Sequence, residues 1–233
     1  MLRRYSLFVF LFILTACLIN TRFSVAGNPN NNSPTNDNSS SSSTVSSASE
    51  DDKSSDKKDV PVKKEWLNRN LGSEIEIALD DVTTILSKRN RCTDLYGESK
   101  DVLMVLNFFA NRIERRTLED SGVGIRMFSN YSSIISSNTG FTYRMFENVI
   151  INNKGPFLKV HNSAKFPKIS RVGSFFSGTR KARALMLLHE LAHLIKDSSG
   201  NWLIPDDGAD FKLSTQNTTF IERTCIKEIE SLK

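Results

Sequence analysis

The 233-residue chain has few cysteines, few histidines and little excess charge. Its longest apolar run is far short of the ~20 residues that a bilayer-spanning helix needs, and 39% hydrophobic with 24% charged residues excludes a polytopic membrane protein. Six Pro and 11 Gly, without a period, exclude a collagen-like chain. Sustained heptads are missing, which excludes a coiled-coil rod, and no internal repeat is visible. The net charge of +5, from 31 basic and 26 acidic residues, is not gathered into a basic block, so nucleic acid is not a favoured partner. Three His and three Cys are all the chain has, so each position counts.

Charge divides the chain into three: +3 over residues 1–26, −3 over 27–59, and +5 over 60–233. The first segment reads as a signal peptide. Met1 to Ser6 is a short basic region and Leu7 to Leu14 an apolar one. Leu14-Thr15-Ala16-Cys17 resembles a bacterial lipobox, in which Cys17 becomes the lipidated first residue. A second exit is ordinary cleavage after Ala26, at Ser24-Val25-Ala26. The lipobox is the preferred exit; the competing reading makes Cys17 a small apolar residue. Either exit predicts export, as a cell-envelope lipoprotein or a secreted protein, with membrane attachment only through the N-terminal lipid. Residues 27–59 read as a disordered linker: between 28 and 59 there are 11 Ser and six Asn, with no aromatic residue to bury.

Residues 60–233 suit one domain with a sizeable core. The spacing of Trp66, Leu67, Leu71, Ile75, Leu79 and Val82 predicts helix over 65–88, with Gly72 a possible break. A second amphipathic helix is predicted from Lys100 to Arg116. Ile125 to Phe128 and Val149 to Ile151 read as strands, Asn152 to Gly155 as a turn and Phe157 to Val160 as a returning strand. A loop over 161–178, a helix from Thr179 to Lys196 and a last helix from Ser214 complete an α+β domain. Cys92 and Cys225, both in this domain, are expected to pair in an oxidising compartment. Closing that long loop contributes about 4–5 kcal/mol in the chain-entropy account.

The segment from Ala184 to Ile195 carries the chemistry. It reads Ala-Leu-Met-Leu-Leu-His189-Glu190-Leu-Ala-His193-Leu-Ile, a His-Glu-x-x-His on an apolar helix. Histidines at i and i+4 share a helix face, and both can reach one zinc ion. Glu190 is turned about 100° around the axis, where it reaches a water rather than the metal. Two His and a Glu in an apolar helix are costly to bury unless something satisfies them, and a metal does so at once. The alternative is a pair of hydrogen-bonded core histidines. A third ligand is needed. The metzincin pattern would place a His where Ser199 stands, so that class is excluded. A later Glu, as in thermolysin-like enzymes, points to Glu222. An Asp, as in aspzincins, points to the Pro205-Asp206-Asp207-Gly208-Ala209-Asp210 segment, which is otherwise a plain surface turn.

Leu187 to Cys225 resembles the tail of a group of exported bacterial zinc metallopeptidases, roughly L-L-H-E-L-x-H, P-x-D-G, S-x-x-N-T-x-x-I and C. This chain has Leu187-Leu188-His189-Glu190-Leu191-Ala192-His193, Pro205-Asp206-Asp207-Gly208, Ser214-Thr215-Gln216-Asn217-Thr218-Thr219-Phe220-Ile221 and Cys225. Cys92 before Gly97, and Val149 to Asn152 before Gly155-Pro156-Phe157, fit as well. The resemblance implies a zincin-like hydrolase acting on a peptide or protein substrate, with Zn2+ held by His189, His193 and Asp207, and Glu190 as general base toward a zinc-activated water. Tyr131, Tyr143 and His161 have the right chemistry to support the oxyanion. The competing function is an envelope protein that binds zinc without catalysis, its fourth position closed by Asp206, Asp210 or Glu222.

Overall fold

The computed structural model describes residues 64–97, 99–128, 130–136, 140–160 and 171–233, which all fall within one unit, Lys57–Lys233. The expected leader and linker, with Cys17 and the Ala26 exit, lie outside the described residues, as does His161.

Asn70 and Gly72 split the first apolar stretch. A 3-10 turn, Glu65–Arg69, precedes helix α1, Ser73–Leu86. Asn70 has φ 48° and Gly72 φ 99°, conformations that a continuous helix cannot contain. Helix α2, Arg91–Tyr96, follows at once, with the Asn90 side chain accepting from the Thr93 N–H as its cap.

The helix predicted over 100–116 is two elements. Helix α3 is Ser99–Ala110, and strand β1 is Ile113–Arg116. The helix tightens and stops where Arg112 N–H bonds Phe109 O instead of continuing the four-residue ladder. Ile113 keeps the apolar spacing of the helix, which is why periodicity alone carries the helix too far. It is fully buried in a strand instead.

Strand β2 is Ile125–Met127, the hairpin β3–β4 is Tyr131–Ile135 with Thr142–Phe146, and β5 is Val149–Asn152. β5 is central in a three-stranded sheet, parallel to β1 and antiparallel to β2. All four β5 residues are buried, as a central strand requires. The returning strand expected at Phe157–Val160 does not form. Leu158 and Lys159 bond back to Gly155 O as a helical turn, and Phe157 is buried. The expected loop contains a short pair, β6, Arg171–Val172, and β7, Phe175–Phe176.

Helix α4, Arg180–Leu194, lies at the centre and contacts α1, α3, β4 and the β6–β7 pair. Helix α5, Phe211–Glu230, also packs on it. The fold is α+β. Cys92 on α2 and Cys225 on α5 are joined as a disulfide, both fully buried. Among the described residues, no helix is long and apolar enough to cross a membrane.

Candidate metal centre

Helix α4 is capped by Thr179, whose side chain accepts from the Ala182 N–H. Its sequence contains no Gly, Pro or β-branched residue, so local propensity and tertiary packing agree. From Ala184 to Ile195 every residue is buried except Glu190, which is half-buried. The helix therefore presents His189 and His193 inside the protein, 6% and 3% exposed.

The chain leaves α4 at Ile195 and returns toward its C-terminal end. Ile195 bridges Tyr143 of β4, and Lys196 bridges Trp202, so the return is a narrow turn. Ile204 is buried and anchors the next segment. Pro205 O accepts from the Asn217 side chain at 2.9 Å, and Asp207 follows. Asp207 Oδ2 lies 3.1 Å from His189 Nε2, and Asp207 Oδ1 lies 3.6 Å from His193 Nε2. The two Nε2 atoms are 3.1 Å apart.

This triangle fits a tetrahedral metal. Ligands about 2.0–2.1 Å from zinc are separated by roughly 3.4 Å along a tetrahedral edge. Separations of 3.1, 3.1 and 3.6 Å lie close to that, the two carboxylate distances being to different oxygens of Asp207. The outer nitrogens agree. Ligation through Nε2 requires the tautomer with the proton on Nδ1. His189 Nδ1 lies 3.0 Å from the Thr218 hydroxyl, and His193 Nδ1 lies 3.9 Å from Asp206 Oδ1. Each proton would face an oxygen.

Two carboxyl groups at the centre are perturbed in opposite senses. Burial pushes Glu190 up to about 7; the neighbouring His189 lowers it and Asp207 raises it further. Burial also acts to raise Asp207, but hydrogen bonds and charge from His189 and His193 outweigh it and hold its carboxyl well below the usual range. Such a split separates a proton-carrying carboxyl from one kept ionised.

The other candidate ligands are committed elsewhere. Asp210 caps α5, accepting from the Lys212 and Leu213 N–H groups. Glu222 accepts from the Ser174 N–H at 3.0 Å and from its hydroxyl. Asp206 pairs with Arg144. Tyr131 packs on Phe146 and beside the Arg144 guanidinium, while Tyr143 lies against Phe108 and Phe141, its phenol pKa raised by burial. Neither phenol hydrogen-bonds a member of the triangle among the described residues. Sequence reasoning gave no role to Thr218, Asn217 or Arg144. Asn217 and Thr218 are ordinary helix residues until the packing of α5 on α4 is known, and a lone strand arginine carries no signal. Comparison of the chain with protein-family models, with curated proteins and with solved structures finds no match.

Proposed function

We propose that the protein is an exported zinc-dependent metallopeptidase of zincin-like architecture. The observation that carries this reading is the convergence of His189 Nε2, His193 Nε2 and the Asp207 carboxylate at close to tetrahedral-edge spacing, with the Glu190 carboxyl beside them. His189, His193 and Asp207 would hold the metal. When bound, zinc acts as a Lewis acid toward a substrate carbonyl and makes water more acidic. Glu190 takes the proton of the attacking water and returns it to the leaving amine. Burial raises the Glu190 pKa in the metal-free site, and the charge of a bound zinc ion would draw it back toward the carboxylate form that accepts a proton.

A non-catalytic zinc site would need a fourth protein ligand. The carboxylates best placed in sequence for that, Asp206, Asp210 and Glu222, are engaged by Arg144, the α5 N-terminus and Ser174. Their engagement favours an open coordination position, which catalysis requires. Export and a lipid anchor at Cys17 rest on the sequence of residues 1–26.

The test is Glu190→Gln on the purified protein, against a library of unstructured peptides. Zinc content is expected to stay at the wild-type level while turnover falls roughly 10²–10⁴-fold. Undiminished turnover in the variant would remove Glu190 from the mechanism.

A further inference from the structure

Zinc held through the two Nε2 atoms leaves the opposite ring nitrogens, both Nδ1, facing the protein. His189 Nδ1 has the Thr218 hydroxyl. His193 Nδ1 is buried and has no hydrogen-bond partner among the described residues, with Asp206 Oδ1 3.9 Å away. A hydrogen bond there needs the Asp206 carboxylate to shift by about 1 Å.

Asp206 is an exposed carboxylate, 61% accessible, yet its partner is unusual. The Arg144 side chain is only 5% exposed. Its guanidinium lies 3.7 Å from the Trp202 ring centroid and 4.8 Å from that of Tyr131. A buried guanidinium is costly unless it is paired, and here the pairing reaches from β4 to the turn that carries Asp207. Trp202 belongs to the same turn. One arginine thus holds the Asp207 turn at two points, through Trp202 and through Asp206.

We propose that Arg144 and Asp206 form a clasp that positions the metal centre. Asp206 accepts from the His193 Nδ1–H and fixes the tautomer whose Nε2 lone pair faces the metal. Arg144 holds Asp206 in place, and because Asp206 and Asp207 are consecutive, fixing the first places the second. Both are positioning residues, and neither ligates the ion. The inference rests on the zinc reading above.

The test is zinc titration of the full-length protein against a chelating indicator, for wild type, Asp206→Ala, Arg144→Leu and the double variant, with visible spectra of the cobalt-loaded forms. Each single change is expected to weaken zinc binding about 10–100-fold, the range for partners of metal-bound histidines. The double variant is expected to lose little more than either single one, because both remove the same support. The cobalt bands are expected to shift in Asp206→Ala, a change that loss of general stability would not cause. Arg144→Lys, which keeps the charge without the planar stack, is expected to fall between wild type and Arg144→Leu. If burial makes Arg144→Leu fail to fold, Asp206→Ala decides, since it removes an exposed side chain and leaves the Arg144 guanidinium stacked on Trp202. Wild-type zinc affinity and unchanged cobalt bands in Asp206→Ala would overturn the clasp alone. Failure of the wild type to bind zinc would overturn the metal reading itself, and the clasp with it.

Discussion

Two regions supply the ligands of the candidate centre, and they are built differently. Helix α4 holds His189 and His193 by backbone geometry: a four-residue separation on a buried, well-capped helix leaves little freedom. The turn from Ile195 to Asp210 holds Asp207 by remote support. That support includes the buried Ile204, the Asn217 bond to Pro205 O and the Arg144–Asp206 pair. A helix ligand is local in sequence; a turn ligand depends on residues many positions away. Damage to distant support should therefore reach Asp207 before it reaches the histidines.

The sharpest separation comes from removing one ligand of each kind. His193→Ala is expected to abolish stoichiometric zinc binding, while Asp207→Ala leaves a weakened two-histidine site. Zinc titrations of the two variants check this, and equal losses would break the distinction between the regions.

Next in size is the disulfide. Cys92–Cys225 closes a separation of 133 residues and ties α5, which carries Asn217 and Thr218, to α2. Replacing both cysteines by Ser is expected to cost about 5 kcal/mol in urea unfolding. In the variant that remains folded, the Asp207 turn should loosen while α4 stays helical, a difference that hydrogen exchange resolves.

The smaller effect is in pH dependence. Glu190 has its native pKa raised to about 7 by burial, so the metal-free native state holds the proton more tightly than the unfolded chain does. Its contribution is full below the unfolded pKa and is lost as pH rises through about 7. Glu190→Gln should remove up to about 3 kcal/mol of that decline, seen as a flatter stability profile from pH 5 to pH 8 in urea melts of the metal-free protein. Asp207 acts in the opposite sense: its lowered pKa contributes stability that is lost as pH falls. An unchanged profile in Glu190→Gln would mean that the carboxyl is solvated.

What could be read from the sequence follows the same division. The α4 centre was legible because His-Glu-x-x-His and the surrounding Leu and Ala residues encode position locally. The α+β class and the Cys92–Cys225 pair were legible from the order of patterns and from counting cysteines. Three carboxylates stood as alternatives to Asp207, and only the fold shows Asp206, Asp210 and Glu222 held by other groups. Periodicity carries the helix on to Arg116 because Ile113 fits helical spacing, although it is paired with Val149 in a sheet. The hairpin β3–β4 was not distinguished within its polar stretch, although Arg144 on it reaches the turn that bears Asp207. Register and long-range pairing leave little trace in local composition.

Metal content by mass spectrometry on the purified protein, beside His193→Ala, decides whether α4 carries a metal centre. A zinc centre predicts about one zinc per chain in the wild type and none in the variant. A wild type without zinc after reconstitution, or equal zinc in both proteins, would contradict it.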